Sequence, residues 1–292
     1  MGFQQLHDWD TTSRALHQAS MLLGPIQNAL FTPRSNYLHL PMFVEPTGLV
    51  SQTMPQGGHI HVNYRDAAIR YVRSNGTSEH FLMADHTQAS LFEALLAALR
   101  QDELADFFAD VDAETLTAGM MTKLHADNSR KEFLRLEDVT HADPLTLNAQ
   151  TAGDYMDVLY TVYTAVARFR ARLTGHMTPV VVWAEHFDLS TLWFHPGNPT
   201  MDDSKAHMNF GFAPFSSGYD LPYLYVYIYP YPEGFEPPAL PEPAIWNREG
   251  WTGVAVRYDD MAKQADAAQF IETMCLDLFA LLSPYLNAGL TK

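Results

Sequence analysis

Residues 222–231 constrain the fold of this chain more than any other stretch, because tyrosine recurs there at every second position. A period of two places successive side chains on opposite faces of a β-strand. Leu224, Val226 and Ile228 share one face, which is apolar enough to belong to a core. The opposite face, here called the tyrosine face, carries Tyr223, Tyr225, Tyr227, Tyr229 and Tyr231. Because tyrosine is both apolar and polar, this face must meet another layer of protein, water or a ligand.

The composition is that of a globular protein and narrows its partners. Of 292 residues, 47% are hydrophobic and 18% are charged. The single cysteine, Cys275, excludes a disulfide framework and a four-cysteine zinc site. A formal charge of −16 repels phosphate backbones and anionic bilayers, so we predict neither nucleic-acid nor membrane partners. No apolar run approaches the roughly 18 residues of a membrane span, and we expect a cytoplasmic protein.

The first half of the chain predicts a helix, a β-meander and a second helix. Apolar residues recur at helical spacing over residues 10–31, with a break at Gly24-Pro25, and again over residues 88–100. Between them, strands are predicted over residues 37–45 and 49–53 and around two hairpins. Two-residue turns at Asp66-Ala67 and Asn75-Gly76 predict one core face. That face carries Ile60, Val62, Tyr64, Ile69, Tyr71, His80 and Leu82.

The second half follows a similar plan. A helical stripe ends at Gly175, and an unbroken apolar run over residues 179–184 predicts a central strand buried on both faces. Strands over residues 189–195, 208–213, 223–229 and 253–257 lead to a closing helix. We therefore predict an α+β fold with largely antiparallel sheets packed against long helices.

The domain organisation follows from these repeated plans. We predict a single domain over residues 1–292 that consists of two similar halves. The halves cover about residues 9–101 and 152–287. An acidic, irregular segment, residues 102–151, joins them.

Four polar residues stand where sheet proteins often place their ligands. Glu185, His186 and Asp188 directly follow the apolar strand, and His207 opens a later strand. A carboxylate beside an imidazole can perform general acid–base chemistry. These four are the candidate catalytic residues, although the same groups would also serve to cap strands and to bond loops.

The tyrosine face supplies the candidate ligand-binding residues, Tyr225, Tyr227 and Tyr229, together with Trp183 at the end of the apolar strand. Rings and hydroxyls of this kind suit a neutral or cationic organic molecule. Packing beneath a helix would explain the same tyrosines without a ligand. His39 joins this site only if the two halves pack face to face.

No metal and no cofactor are predicted. The sequence lacks a glycine-rich loop between a strand and a helix, and it lacks the helical H-E-x-x-H motif. His59 and His61 have a spacing that can hold a metal, but no third ligand stands nearby in the sequence. The predicted registers place both on an outer face with Asn63 and Arg70, where solvent alone explains them.

Several ordered motifs resemble a bacterial family catalogued as domain of unknown function 5996. They are Asn36-x-x-His39-x-Pro41 followed by Gly48-Leu49, then Thr178-Pro179-Val180-x-x-Trp183-x-x-x-Phe187-Asp188-Leu189, and finally Tyr229-Pro230-x-Pro232-Glu233-Gly234. Phe169-Arg170 with Gly175, and His207 with Gly211-Phe212, also fit the pattern. The resemblance implies one family-length unit of bacterial type, and it brings no activity.

Two classes of function are left open by the sequence. The first is a protein that binds a small organic molecule between the strand end at residues 183–188 and the tyrosine face, with acid–base groups that would allow an enzyme. The second is a non-catalytic interaction or structural module that uses the acidic segment or the proline-rich residues 230–243. The reaction, the substrate and the oligomeric state are left open as well.

Overall fold

The computed structural model describes residues 3–101, 104–125 and 136–288. The chain forms two compact units. The first, here called the N-terminal unit, comprises Leu6–Met156 and Val182–Phe187. The second, the C-terminal unit, comprises Met1–Gln5, Asp157–Val181 and Asp188–Lys292. The single domain predicted over residues 1–292 stays a prediction.

The first part of the chain forms a five-stranded antiparallel sheet in the order β1-β2-β3-β4-β5, together with short helices. Its helices are α1 (Trp9–Met21), α2 (Leu23–Leu30), α3 (Gln88–Leu99), α4 (Ala105–Phe108) and α5 (Ala113–His125). Its strands are β1 (Phe43–Glu45), β2 (Gly48–Val50), β3 (His59–Asn63), β4 (Ala68–Val72) and β5 (Ser78–Leu82).

Local sequence explains where these helices begin and break. The break predicted near Gly24-Pro25 falls at Leu22, between α1 and α2. Pro25 lies in the first turn of α2, where its missing N–H removes no helical hydrogen bond. α3 begins at Thr87, whose side chain accepts from the N–H of Ser90 while the Ser90 hydroxyl accepts in return.

The hairpin between β3 and β4 confirms the predicted core face despite a longer turn. The turn takes residues 64–67, so Val62 lies opposite Ile69 and Ile60 opposite Tyr71. The predicted register was wrong by two residues, and a shift of two leaves every side chain on the same face. Accordingly, all predicted core residues of these two strands are fully buried: Ile60, Val62, Tyr64, Ile69 and Tyr71.

The hairpin between β4 and β5 corrects the prediction by one residue. Gly76 has a left-handed φ of 82°, and its N–H donates to the Arg73 carbonyl at 2.9 Å, which makes a three-residue turn. Ile69 therefore pairs with Phe81 and not with Leu82. A shift of one residue exchanges the faces of a strand, so His80 and Leu82 were wrongly predicted to face the core.

The outer face of this sheet also differs from expectation near β3. His61 and Asn63 are each only 7% exposed, so the prediction of a fully solvated outer face was wrong there. Asn63 holds the following turn, because its Oδ1 accepts from the N–H groups of Arg65 and Asp66 at 3.0 and 3.1 Å. A polar face of a small sheet is thus partly covered by its own turns.

The rest of the chain forms a seven-stranded sheet in the order β11-β12-β10-β9-β8-β6, with β7 paired to β8. Its strands are β6 (His176–Met177), β7 (Val181–Trp183), β8 (Asp188–Phe194), β9 (His207–Ala213), β10 (Tyr223–Tyr229), β11 (Ile245–Asn247) and β12 (Gly253–Arg257). The helices are α6 (Ala149–Arg172), α7 (Tyr258–Ala262) and α8 (Ala267–Ala288). The predicted α+β class with largely antiparallel sheets and long helices is confirmed.

Long helices of the C-terminal unit pack on the apolar face of its sheet. Phe210 of β9 lies 4.5 Å from the ring of Phe169 on α6 and 6.5 Å from that of Phe279 on α8. The two helices are also joined by an ion pair, in which Nε of Arg172 lies 2.5 Å from the buried carboxylate of Glu272. The opposite face of the same strands is the tyrosine face.

Two predicted strands were too long. The strand predicted over residues 37–45 starts only at Phe43, because residues 35–40 form a 3-10 turn and further turns, with Asn36 and Tyr37 at a positive φ of 53°. The strand predicted over residues 179–184 shortens to β7, which pairs with β8 outside the main strand order and is not central. Two short strands, β6 and β11, were not predicted.

The two sheets differ in strand number and order, and the predicted similarity of the two halves is not shown. Of the irregular segment predicted over residues 102–151, the described parts include α4 and α5. Residues 102–103 and 126–135 lie outside the described residues. Within the part of the chain that is described, no helix combines the length and apolar character needed to cross a membrane.

The observed register predicts that Leu82 contributes little to stability. Because Leu82 is 51% exposed, Leu82→Ser is expected to change the free energy of unfolding by less than about 0.5 kcal/mol. The matched change Leu49→Ser, at a fully buried leucine of β2, is expected to cost more than about 2 kcal/mol. Urea titrations of both variants test this, and equal losses would contradict the three-residue turn.

Candidate functional site

The tyrosine face of β10 lies against small or polar residues of β9. Tyr223 pairs with Ala213, Tyr225 with Gly211 and Tyr227 with Asn209. Alanine and glycine at the first two positions leave room above β9 for the large rings of β10. The tyrosines can therefore lean across the sheet instead of standing upright on it.

Gly211 provides the closest of these approaches. A Cβ atom at this position would lie 2.2 Å from Cζ of Tyr225, well inside van der Waals contact. The Tyr225 ring crosses Gly211 and its hydroxyl donates a hydrogen bond to the carboxylate of Asp188 on β8. Burial, and secondarily the charge of Asp188, raise the pKa of Tyr225 well above its usual range, so the phenol keeps its proton and remains the donor.

The rings form what we call the aromatic cluster: Tyr219, Tyr223, Tyr225, Tyr227 and Trp251. Tyr219 stacks on Tyr223 at 4.1 Å between ring centroids, and Tyr225 stacks on Tyr227 at 6.2 Å with 9° between the planes. Trp251, from the loop before β12, lies 6.1 Å from both Tyr223 and Tyr225. The cluster therefore forms a continuous aromatic layer on one face of the sheet, in which Tyr219, Tyr223 and Tyr225 are buried and Tyr227 and Trp251 are partly buried.

Two polar atoms beside these rings are buried and have no hydrogen-bond partner among the described residues. Nδ2 of Asn209 donates to the Tyr227 hydroxyl at 2.9 Å, while its Oδ1 has no partner. Nε1 of Trp251 is likewise buried without an acceptor. Most buried polar atoms in native proteins are satisfied, so one acceptor and one donor without partners in the same cluster require an explanation.

Asp188 and His207, which the sequence placed in one pocket, lie at opposite ends of the tyrosine face. Asp188 begins β8, and His207 lies opposite Phe194, which ends β8. At about 3.3 Å per residue, this separates them by roughly 20 Å along the strand. The structure thus brings Asp188 to Tyr225 but does not bring it to His207.

His207 is held at its own end of the face by the backbone and by rings. Its Nδ1 donates to the Lys205 carbonyl at 2.7 Å, and its ring lies 5.4 Å from Tyr229 and 6.2 Å from Tyr227. Burial lowers the pKa of His207, which favours the neutral imidazole. Of the two tyrosines, Tyr227 is half-buried and Tyr229 is 45% exposed.

Tyr231, the last tyrosine of the pattern, leaves the face. β10 ends at Tyr229, and the ring of Tyr231 packs 4.9 Å from Phe235 in the proline-rich loop. Its hydroxyl donates to the Thr252 carbonyl at 3.3 Å. The alternation that predicted five tyrosines on one face therefore holds for four of them.

The remaining predicted residues belong to the N-terminal unit. Glu185 and His186 lie in the turn of residues 184–187, which closes when the N–H of Phe187 donates to the Trp183 carbonyl at 2.7 Å. His39 is buried, and its Nδ1 accepts from the N–H of Arg34 at 3.3 Å. Ligand-binding roles for His39 and Trp183 stay predictions.

His17, which sequence analysis missed, is the residue that holds this turn. Its Nε2 donates to the Glu185 carbonyl at 3.1 Å, and its ring stacks on Phe187 at 5.2 Å between centroids. Burial lowers the pKa of His17 to about 4, so the imidazole is neutral at physiological pH. The contact uses a backbone atom 168 residues away, which no side-chain pattern could have indicated.

Other reactive groups are inert or dispersed. Cys275 is fully buried, and burial raises the pKa of its thiol, so it is not a nucleophile at neutral pH. Within the described residues, no three side chains of His, Cys, Asp or Glu approach closely enough to hold a metal ion.

The fold and this face define an α+β protein of two antiparallel sheets, one of which carries an aromatic face with buried polar groups. The chain belongs to the family described as "Family of unknown function (DUF5996)", whose model matches residues 4–280. The predicted resemblance is therefore confirmed. Comparisons with curated proteins and with solved structures found no match.

The close approach at Gly211 gives a first prediction for this site. Gly211→Ala would force the Tyr225 ring away from Asp188 and is expected to cost about 1–3 kcal/mol of unfolding free energy. With Tyr225→Ala already present, the same change should cost less than about 0.5 kcal/mol, because the ring is gone. Gly153→Ala in α6, which would meet nothing within 4 Å, is the control. If Gly211→Ala lowered the free energy of unfolding equally in the wild type and in Tyr225→Ala, the close approach of the Tyr225 ring to Gly211 would not be its cause.

Burial of His17 gives a second prediction, on pH. Its pKa is about 4 when folded against 6.5 when exposed, so between these values the unfolded chain binds the extra proton. Stability linked to His17 is therefore complete above pH 6.5 and is lost as the pH falls to 4, by at most about 3 kcal/mol. His17→Phe should flatten this slope in urea titrations, whereas His7→Gln, at an exposed histidine, should not. If the free energy of unfolding varied with pH in the same way in the wild type and in His17→Phe, the role of His17 would be refuted.

Proposed function

We propose that the C-terminal unit binds a small neutral or cationic organic molecule against the aromatic cluster. The observation that carries this proposal is Oδ1 of Asn209, which is buried and lacks a hydrogen-bond partner within the described residues. A buried acceptor of this kind costs about 1–3 kcal/mol unless a ligand or water satisfies it. Nε1 of Trp251 supplies a complementary donor on the same surface.

The charge preference follows from the rings and from Asp188. The faces of aromatic rings attract cations, and Arg257 already places its guanidinium 5.3 Å from the centre of the Tyr219 ring. The carboxylate of Asp188 lies beside Tyr225 on the same face.

Binding is favoured over catalysis by the positions of the candidate acid–base groups. Asp188 and His207 lie at opposite ends of the tyrosine face, so a small molecule could not contact both at once. Asp188 is engaged by a phenol that keeps its proton. An enzymatic role would therefore depend on one of these groups alone, with the aromatic cluster holding the substrate.

Three probes that share a phenyl ring test this proposal: benzylamine, benzyl alcohol and benzoate. Titration calorimetry at neutral pH is expected to show benzylamine binding best and benzoate worst. Asn209→Leu, which removes the acceptor, should weaken benzylamine binding about tenfold or more. Asn287→Leu, at an exposed asparagine of the same unit, is the matched control and should leave binding unchanged.

The opposite outcomes would contradict the proposal. They are benzoate binding as tightly as benzylamine, or benzylamine binding that is indifferent to Asn209→Leu. If none of the three probes binds, the surface is not a site for small aromatic molecules, and the interaction module becomes the better interpretation.

A further inference from the structure

A row of basic side chains crosses the outer face of the five-stranded sheet. His61 of β3 lies opposite Arg70 of β4, and Arg70 lies opposite His80 of β5. Residues opposite one another share a face, with Cβ atoms about 5 Å apart. Two imidazoles and a guanidinium therefore stand within about 10 Å of one another.

Arg70 has no carboxylate partner within the described residues. It is half-buried, and its Nε and Nη2 both lie 3.4 Å from the hydroxyl of Ser78. By contrast, Arg73, one residue beyond the end of β4, forms an ion pair with Glu79. The guanidinium of Arg70 is therefore held by a hydroxyl and not by a carboxylate.

A guanidinium and an imidazole meet at the Ser78 hydroxyl. This oxygen lies 3.4 Å from the Arg70 guanidinium and 3.3 Å from Nε2 of His80. The Nε and Nη2 atoms of an arginine can donate two parallel hydrogen bonds to two oxygens of an anion, at about 2.8 Å. In this protein a single hydroxyl oxygen faces these two atoms at 3.4 Å, so the hydrogen bonds of Nε and Nη2 are weak.

His61, opposite Arg70, is the buried member of this row. Its Nε2 lies 3.4 Å from the Thr47 hydroxyl. Burial lowers the pKa of His61, which Glu45 and Asp66 oppose while His59 and Arg70 add to it. Of the two acids, Asp66 is already held by Nδ2 of Asn63 at 2.7 Å.

We propose that Arg70, Ser78 and His80, with His61 beside them, bind the phosphate group of a small molecule. Guanidinium, hydroxyl and imidazole donors match a tetrahedral anion, and Arg70 supplies a positive charge that no carboxylate of the described residues pairs with. The net charge of −16 disfavours an extended polyanion, so the ligand is a single phosphate group and not a nucleic acid. All four residues belong to the N-terminal unit, and this inference is independent of the aromatic cluster.

Inorganic phosphate is the probe that tests the site. Calorimetric titration of the full chain, with ionic strength held constant by sodium chloride, is expected to show one saturable site. Arg70→Gln should weaken binding about tenfold or more, and Ser78→Ala should weaken it severalfold. Arg14→Gln, at an exposed arginine paired with Asp10 at 3.0 Å, is the control and should leave affinity unchanged.

Phenyl phosphate serves as a second probe, and His80→Gln serves as a second variant of the site. Phenyl phosphate should show the same dependence on Arg70, and tighter binding than inorganic phosphate would indicate an organic phosphate as the natural ligand. If Arg70→Gln fails to fold, His80→Gln, at an exposed position, should weaken binding severalfold. No saturable binding to wild type, or equal affinity in the folded variants, would overturn the proposal.

Discussion

The tyrosine face depends on one missing side chain, because only glycine at position 211 lets the Tyr225 ring lie across β9. That crossing allows a residue of β10 to bond Asp188 two strands away, so the hydroxyl reaches past the intervening strand. Tyr227 then leans the same way, since its ring is nearly parallel to that of Tyr225, whereas Tyr223 is tilted from Tyr225 by 51°. The orientation of Tyr225 and Tyr227 therefore follows from one backbone position together with the alternation of β10.

Alternation also explains why much of the fold could be predicted from sequence. A face is decided by parity alone, so β10 was predicted with its apolar and tyrosine faces correct. The hairpin at residues 64–67 was misregistered by two residues, and its core face was still correct. The hairpin at Gly76 was misread by one, which moved Leu82 from the predicted core to the surface. The error of one residue comes from the length of the turn, because Asn-Gly suits both two-residue and three-residue turns.

The candidate site was predictable in its residue types but not in its geometry. Asp188 and Tyr225 were both named from sequence, yet their contact requires Gly211, whose role appears only when the ring is placed. His17 bonds the backbone carbonyl of Glu185, and every residue has such a carbonyl, so the residue types do not indicate the contact. The separation of Asp188 from His207 follows from strand direction, because neighbouring antiparallel strands carry successive residues towards opposite ends.

Two buried polar atoms beside the aromatic cluster lack hydrogen-bond partners within the described residues, and the stacking of the rings does not account for them. A layer of tyrosines packed for stability alone would gain from satisfying Asn209 Oδ1 and Trp251 Nε1, since each buried group without a partner costs about 1–3 kcal/mol. Domains of this kind are stable by only about 5–15 kcal/mol, so two such groups take up a large part of that margin. The same reasoning applies to Arg70, which forms no ion pair with a carboxylate of the described residues. Local costs that the fold does not relieve are expected where a ligand completes the structure.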